Sequence, residues 1–513
     1  MPKPFDFGGV NLTAGGDSSN ARPTAETPFC IAILGDFSGR ANRGISDAKT
    51  IGKRRAVVVD RDNFDEVLSR SGAELQLAIG DGSLHLRFSE LEDFHPDRIF
   101  QHLDAFGKLR ELRGRLSDPS TFQDAARELG LRSPDSVSEP RIAGASPAVA
   151  PSAARLASSS LLDEMIEQTE SRVDEDRYSR KPDALREFAQ RAAAKHLVST
   201  PDARQPEILS VIDRGIGALM RAILHNRNFQ ALEAVWRAAF LLVRQLETGS
   251  RLKLYLIDVS KEELAADLSA ATDLRDTGTY RLLVEQSVET PGAEPWAAIV
   301  GNFTFGDADH DLSLLSRIAA IAHRAGAPFL AEASARLLGC SSLASSPHPR
   351  DWKMPSELAG GWAELRRRPE ADSIGLSLPR FLLRLPYGKK TFPLDSFDFE
   401  EFPELPVHED YLWGNPAFAV ALLLAQSFSE EGWEMRPGIV MEIDRLPLHV
   451  YGKNGESESK PCAEILLTED AAERLLEEGL MPLISFKHRD RVRFMRFQSI
   501  ADPPRRLAGR WAS

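Results

Sequence analysis

Residues 375–433 constrain the fold of this chain most strongly, because they place prolines, glycines and aromatic residues between long apolar runs. They read GLSLPRFLLRLPYGKKTFPLDSFDFEEF, then a short acidic spacer, then YLWGNPAFAVALLLAQSFSEEGW. Pro379 suits a first helical turn and the PYG sequence ends the segment, so we predict a first helix between them. That helix would place Arg380 and Arg384, four residues apart, on one face.

A second helix is predicted in the same stretch. Asn415 is a candidate N-cap, Pro416 suits the first helical position, and Gly432 lies just past the end. Phe418 and Leu422 fall on one stripe of this helix, and alanine and leucine residues extend the apolar surface almost all the way round. A helix of this kind is buried on most of its faces.

The two arginines of the first helix allow two interpretations. As an anion clamp they would bind a ligand, whereas as structural residues they would pair with carboxylates such as Glu400 and Glu401. No glycine loop that could bind phosphate accompanies them, because the nearby GKKT lacks the spacing of a P-loop. We therefore favour the structural interpretation, with this set of core residues: Trp236, Phe240, Arg380, Arg384, Trp413, Asn415, Phe418 and Leu422.

Several strings in the second two thirds of the chain identify a family. LPRFLLRLPYG, the FDFEE run at residues 397–401 and YLWGNPAFA resemble the large sheath subunit of bacterial type VI secretion systems. NFQALEAVWRAAFLLV and MPLISFKHRDRVRFMRFQSI resemble further segments of that subunit. The resemblance covers residues 160–500, approximately.

The N-terminal part resembles the small sheath subunit of the same systems. The strings that carry this resemblance are LGDFSGR, VVVDRDNFDEVL and LEDFHPDRI, within about residues 28–116. The chain thus resembles both sheath subunits joined end to end. The resemblance implies a mixed α/β (α+β) sheath-type protomer with two subunit-like parts.

Changes in composition predict the domain boundaries. Residues 1–27 are rich in glycine, serine, asparagine and proline, and we expect a disordered tail. Residues 28–132 would form the small-subunit-like α/β domain, and residues 161–513 the large-subunit-like region with two subdomains. Between them, residues 133–160 are dominated by proline, alanine and serine, which predicts a flexible linker.

Local patterns predict several strands and helix ends. In the first part, short apolar runs predict strands at residues 30–34 and 56–59, and alternation predicts a β-hairpin over 75–88. In the second part, Ser260 and Glu263 form a candidate capping box after a strand at 252–259. Further strands are predicted at residues 296–305, 329–331, 439–443 and 463–467.

Composition narrows the function classes. A net charge of −13 disfavours a nucleic-acid-binding surface. Cys30, Cys340 and Cys462 are far apart and form neither a disulfide framework nor a metal-ligand spacing. No apolar run approaches the ~20 residues that span a bilayer, and the N-terminus has no signal pattern. We expect a cytoplasmic protein without membrane insertion.

Motifs for catalysis or metal binding are absent from the sequence. GDFSG at residues 35–39 is not the Gly-x-Ser-x-Gly of a serine nucleophile, and a turn explains Asp36. The acidic cluster at residues 307–311 lacks the loop and terminal glutamate of a calcium site. We expect no enzyme activity, no cofactor and no metal.

The segment LLDEMIEQT at residues 161–169 has helical periodicity, with Leu161, Leu162, Met165 and Ile166 on one side. An ordinary amphipathic helix explains the pattern. The segment also resembles the short helix that, in large sheath subunits, an AAA+ unfoldase recognises after contraction. The four apolar residues are the candidate recognition site.

The resemblance implies a structural role. The chain would be a fused small-plus-large protomer that assembles with other sheath protomers around an inner-tube protein and on a baseplate. Exchanged β-strands would join adjacent protomers. One alternative is a non-polymerising sheath paralogue that caps, initiates or regulates assembly. An alternative of another class, a nucleotide-dependent α/β enzyme, would need a phosphate-binding loop that the sequence does not show.

The resemblance implies that large sheath subunits continue beyond the segment MPLISFKHRDRVRFMRFQSI, so we expect this chain to be shortened at its C-terminal end. We therefore expect an unpaired, strand-exchange edge at Val492, Phe494 and Phe497. On this expectation the chain alone stays a monomer or small oligomer, and long tubes need a second sheath chain or a separate C-terminal piece.

Overall fold

The computed structural model describes residues 23–79, 82–128 and 204–511. By their internal contacts, residues 1–107 and 213–513 form one compact unit and residues 108–212 form a second. The predicted linker at 133–160 and the predicted recognition helix lie outside the described residues, as does most of the predicted tail. The domain boundaries in that region therefore stay predictions.

The strands of the described residues form one nine-stranded sheet and three two-stranded sheets. In the large sheet the order is β11-β15-β14-β8-β7-β6-β1-β5-β2, and the small sheets pair β3 with β4, β9 with β10, and β12 with β13. The bounds are β1 Phe29–Gly35, β2 Val57–Val59, β3 Ala73–Ile79, β4 Gly82–Phe88, β5 Leu252–Asp258, β6 Trp296–Phe305, β7 Phe329–Ala333, β8 Ile374–Leu378, β9 Phe381–Leu382, β10 Trp413–Gly414, β11 Glu442–Ile443, β12 His449–Lys453, β13 Glu456–Lys460, β14 Met481–Ser485 and β15 Val492–Phe494.

The α-helices lie between these strands. Short 3-10 turns and one π-helical segment, Arg281–Glu289, complete the connections. The bounds are α1 Phe64–Ser71, α2 Pro96–His102, α3 Gly107–Ser117, α4 Phe122–Glu128, α5 Gln205–Leu224, α6 Arg227–Gln245, α7 Lys261–Ala270, α8 Asp309–Ala325, α9 Ser356–Arg367, α10 Pro416–Glu431 and α11 Glu469–Glu477. The predicted mixed α/β class is confirmed.

The strand β1 is an inner strand of the large sheet, the third from its β2 edge. It pairs in parallel with β5 on one side and with β6 on the other, so that Ile33 lies opposite Leu256 and Val300. All seven residues of its sequence FCIAILG are buried, as expected of a parallel strand that is covered on both faces. The N-terminal part of the chain therefore supplies an inner strand of a sheet whose other parallel strands come from the C-terminal part.

Side chains of β1 alternate between two apolar layers. Cys30, Ala32 and Leu34 belong to a core cluster with residues of α7, α8 and α9. The ring of Phe29 lies 4.7 Å from that of Phe428, in α10. Because successive strand residues point to opposite faces, the sheet separates two helical layers.

The helix α10 follows its sequence signals. The Asn415 side chain accepts a hydrogen bond from Ala417 N at 2.9 Å, Pro416 is the first helical residue, and Gly432 follows the last with φ at 64°. Twelve of its residues are buried, including Phe418 and Leu422, which are both fully buried. The prediction of this helix and its ends is confirmed.

The helix predicted after Pro379 is wrong. The segment instead follows the end of β8 at Leu378, and Phe381 and Leu382 form the short strand β9. Leu382 N donates to Cys462 O at 2.7 Å, and Gly414 pairs with Phe381. Periodicity cannot distinguish a strand from a helix in so short an apolar run, and pairing with distant segments decides for the strand.

Two other predictions fail near the C-terminus. The strand predicted at 439–443 is reduced to β11, and the one predicted at 463–467 contributes only a single bridge, from Ala463 to Phe381. The polar residues between them instead form the hairpin of β12 and β13. Asn454 and Gly455 both have positive φ at its turn, which suits a two-residue hairpin loop.

The predicted strand-exchange edge is also wrong. Val492 and Phe494 lie in β15, which pairs with β14 on one side and with β11 on the other. Both side chains are fully buried, and Phe497 is 5% exposed. The outer strands of the nine-stranded sheet are β2 and β11, and these carry the edges.

The second unit has its own small core. Its described residues place Leu116, Phe122, Ala125 and Ala126 together, with Ile208, Leu209 and Ile212 packed against them. Gln205 Nε2 donates to Leu116 O at 2.7 Å, which fixes the start of α5 within this unit.

A substitution inside α10 tests the burial of this helix. Leu422→Ala removes a fully buried side chain and leaves a cavity, so we expect the free energy of unfolding to fall by ~2–5 kcal/mol. Glu430→Ala, at an exposed position of the same helix, should change it by less than ~0.5 kcal/mol. Denaturant unfolding measures both, and small, equal effects would show that the helix is not core.

Candidate functional site: a shared sheet and a buried charge network

Arg384 lies at the centre of a buried charge network. Its Nε donates to Glu233 Oε1 at 2.9 Å, and its Nη1 and Nη2 reach the two carboxylate oxygens of Glu401 at 2.8 and 3.1 Å. The Arg384 side chain is 9% exposed, and the two carboxylates are almost completely buried. The two contacts with Glu401 form a bidentate pair, which is the typical geometry between a guanidinium and a carboxylate.

Glu233 connects Arg384 to α6. Its Oε1 also accepts from Arg237 Nε at 2.7 Å, and Arg237 Nη2 donates to the Tyr387 hydroxyl at 3.2 Å. The Arg384 guanidinium lies 4.4 Å from the centroid of the Tyr387 ring. Two arginines and two carboxylates thus balance one another away from water.

Protonation states follow from this burial. Burial opposes the charge on Arg384, but Glu233 and Glu401 hold its pKa well above the ordinary value. Burial also acts to raise the pKa of Glu401, yet Arg384, His225 and the backbone N–H of Tyr387 lower it to about 2. Glu401 is therefore an ionised structural partner and not a proton donor.

A second ion pair joins β9 to the segment before α11. Arg380 Nη2 lies 2.6 Å from Glu464 Oε1, and Arg380 N donates to Glu464 Oε2 at 3.0 Å. His408 Nε2 lies 3.4 Å from the same carboxylate, and Lys460 Nζ lies 2.8 Å from His408 Nδ1. Despite its burial, Glu464 has a pKa lowered to about 2 by His408 and Arg380.

A third set of contacts ties the N-terminal part to the C-terminal part. Arg40 and Arg54 both bind Glu263 of α7, whose side chain is fully buried, with a shortest distance of 2.7 Å in each pair. Ser260 and Glu263 form the predicted capping box. Trp236 Nε1 donates to Phe37 O at 2.9 Å, so the helix α6 contacts the loop that follows β1.

Most of the predicted core residues are buried. Trp236, Trp413, Asn415, Phe418 and Leu422 are buried, whereas Phe240 is half-buried and Arg380 is 39% exposed. Arg384 pairs with Glu401, one of the two carboxylates predicted, while Arg380 takes Glu464, 84 residues later in the chain. Sequence reasoning missed Glu233 and Glu464, because both partners are distant in the chain.

No open set of reactive groups is found in the part of the chain that the structure describes. For the acidic cluster at residues 307–311 we predicted no metal site. There the Asp311 carboxylate binds Lys261 at 2.6 Å and Gly306 N at 2.8 Å. No three His, Cys, Asp or Glu residues among the described ones are grouped as metal ligands. Among those residues no helix is long and apolar enough to cross a membrane. Because the charges of the buried network around Arg384 are paired with one another, the network can hold the surrounding helix and loops together.

Removing one carboxylate from the network should be costly. Glu401→Ala leaves Arg384 buried without one partner, so we expect a loss of ~3–5 kcal/mol in the free energy of unfolding. Glu404→Ala, three residues later and exposed, is the matched control and should be near neutral. Equal effects in denaturant unfolding would contradict the assignment.

The lowered pKa of Glu401 predicts that the free energy of unfolding depends on pH. The pKa of Glu401 is about 2 in the folded chain, below its ordinary 4.5, so the unfolded chain takes up the proton first as the pH falls. The stabilisation is therefore complete above about pH 5 and is lost as the pH falls towards 2. Thermal unfolding between pH 7 and 3 should show this loss, and Glu401→Ala should reduce its slope.

Two family models match the chain. One, described as "EvpB/VC_A0108, tail sheath N-terminal domain", matches residues 206–501, more than half of the chain. The other, described as "Type VI secretion system, VipA, VC_A0107 or Hcp2", matches residues 9–129.

Curated relatives agree with both models. The type VI secretion system sheath protein TssC1 of Pseudomonas aeruginosa is 32% identical over 330 residues, which cover 62% of this chain and 66% of that protein. The sheath protein TssB1 of the same organism is 25% identical over 111 residues, covering 20% of this chain and 63% of that protein. The chain thus spans slightly less than two thirds of each relative's length. It belongs to the type VI secretion tail sheath family, and a small-subunit segment precedes a large-subunit segment in one polypeptide.

Proposed function

We propose that this chain acts as a fused small-plus-large protomer of a contractile sheath, with both subunit types folded as one unit. The position of β1 carries the proposal. In the family, the small and large segments are separate sheath proteins, TssB1 and TssC1 in the relatives above. Here the small-type segment supplies a strand that lies between β5 and β6 of the large-type segment.

Removal of β1 would be energetically severe. Its seven residues are all buried, and both of its neighbours would lose a row of backbone hydrogen bonds. Buried N–H and C=O groups without partners each cost free energy comparable to a lost hydrogen bond. The large-type segment therefore needs the small-type segment for a stable sheet, which supports joint action of the two.

The proposed role is structural and not enzymatic. The protomer would assemble with other sheath protomers around an inner-tube protein, on a baseplate, in the cytoplasm. An AAA+ unfoldase would act on the helix predicted around Leu161, Leu162, Met165 and Ile166. Support for these partners comes from the family resemblance and from the sheath names of the relatives.

Cleavage of the linker tests the fused protomer. A protease site inserted within residues 143–159 should give two fragments that co-elute on a sizing column, because β1 holds them together through backbone pairing. Ile31→Asp, at a fully buried position of β1, should separate the fragments or prevent folding. Val58→Asp, at a position 42% exposed in β2, is the matched control and should leave them together. Separation of the unmodified fragments into monomers would contradict the proposal.

Electron microscopy tests the assembly. Expressed together with the other proteins of its secretion system, the chain should form long, regular tubes, since sheath protomers assemble helically. Ile31→Asp should abolish them and Val58→Asp should not. Discrete small particles from the unmodified chain would instead favour the non-polymerising paralogue.

A further inference from the structure

A groove rich in arginine lies beside the β11 edge of the nine-stranded sheet. It has a volume of about 490 Å³ and lies between the loop before β11, the segment after β15 and residues 504–506. We call it the arginine groove; four cations and two exposed apolar side chains characterise its lining, namely Arg436, Arg496, Arg505, Arg506, Ile439 and Met495. Its volume lies within the range of about 300–1,000 Å³ that binds small ligands or a few side chains.

The four arginines of the groove have no ion-pair partner among the described residues, and all four are exposed. Nearby Arg491 shows the contrast, because its guanidinium pairs with Glu442 at 3.0 Å and with Asp444 at 3.1 Å. No acidic residue lines the groove. In a chain with a net charge of −13, such a convergence of unpaired cations indicates an anionic partner.

A surface of opposite character lies elsewhere on the same chain. We call residues 403–410, PELPVHED, the acidic loop; five of its residues are exposed, and Pro406, His408 and Asp410 are half-buried. Leu405 and Val407 are 53% and 50% exposed, and Glu404 and Glu409 are exposed beside them. The loop thus offers apolar side chains flanked by carboxylates, which complements a groove lined by arginines and exposed apolar side chains.

The acidic loop is also restrained before any contact forms. Pro403 and Pro406 fix their own φ angles and favour extended conformations in the residues before them. Val407 is extended, with φ at −88° and ψ at 134°. A segment of this kind loses little conformational entropy on docking, which favours binding.

We propose that the acidic loop of one copy of this chain docks into the arginine groove of the next copy. The inference deepens the proposed sheath function and rests on it, because only a chain that assembles brings two copies together. The groove and the loop are different surfaces, so the contact is head-to-tail: after two copies dock, one still has a free groove and the other a free loop. Such a contact propagates into an open helical array, whereas a self-complementary patch would stop at a dimer.

Peptide binding tests the contact without any assembly. A fluorescein-labelled peptide of residues 402–411, FPELPVHEDY, is titrated with the full-length chain and followed by anisotropy. We expect saturable binding that weakens as salt is raised, because exposed charges are screened. Replacing all four groove arginines by glutamate should weaken binding at least about tenfold. A peptide with serine at positions 405 and 407 should also bind more weakly.

Two controls sharpen this titration. Arg493→Glu changes an exposed arginine of β15 that does not line the groove, and should leave peptide affinity unchanged. A scrambled peptide of the same composition should bind more weakly than the native one. Equal binding of both peptides, loss of binding with Arg493→Glu, or no binding at all would overturn the contact.

Charge exchange tests the contact in the assembly. Arg436→Glu with Arg506→Glu, or Glu404→Arg with Glu409→Arg, should each reduce tube formation in the co-expression experiment. Mixing the two double variants should restore tubes in which the variants alternate, because the acidic loop of one then meets the unchanged groove of the other and the arginine-bearing loop meets the glutamate-bearing groove. Combining all four changes in one chain should restore tubes as well. Circular dichroism should show unchanged folding, since all four positions are exposed.

The outcomes separate this contact from the proposed function. If the unmodified chain forms no tubes but binds the peptide as described, the sheath function fails and the complementarity stands. If tubes form and neither double variant reduces them, the contact is wrong and the sheath function stands. Preferential binding of the inner-tube protein or of a single-stranded DNA oligomer to the groove would also overturn it.

Discussion

The backbone pairing of β1 with β5 and β6 is the constraint on which the rest of the structure depends. A strand inside a parallel sheet satisfies its hydrogen bonds on both sides and buries side chains on both faces, so it is needed by both neighbours at once. Here that strand comes from residues 29–35, while its neighbours begin more than two hundred residues later. The two family segments are thus parts of a single folding unit, and the backbone pairing of β1 sets their register.

The charge network fixes a second arrangement, within the large-subunit segment. Arg384 binds Glu233 of α6 and Glu401 of the following loop, which brings three distant stretches of chain to one point. Burying such pairs costs desolvation that the attraction offsets only when the geometry is satisfied. An apolar cluster of similar volume could be as stable, but it would tolerate small displacements. The ion pairs instead favour one alignment, which suits a protomer whose surfaces must repeat accurately.

Sequence reasoning succeeded where local chemistry decides the structure and failed where distant partners do. The helix α10 carries its N-cap, first-turn proline and terminal glycine in sequence, and the capping box at Ser260 and Glu263 is equally local. By contrast, Phe381 and Leu382 form a strand because Gly414 and Cys462 offer them backbone partners. The Arg380 pair with Glu464 and the enclosure of β15 by β11 depend on the same long-range pairing. A single sequence records such partners only indirectly.

Salt screens the buried and the exposed charges of this chain to different extents, and this difference affects contacts between copies. In the buried network, Arg384 and Arg237 donate to carboxylates within hydrogen-bond distance, and salt screens such buried pairs only weakly. On the arginine groove and the acidic loop, the charges face water and are screened over about 8–10 Å at physiological ionic strength. Ionic strength can therefore weaken contacts between copies while leaving each protomer folded. A contact that combines exposed charges with Leu405 and Val407 would keep an apolar contribution when its electrostatic one is reduced.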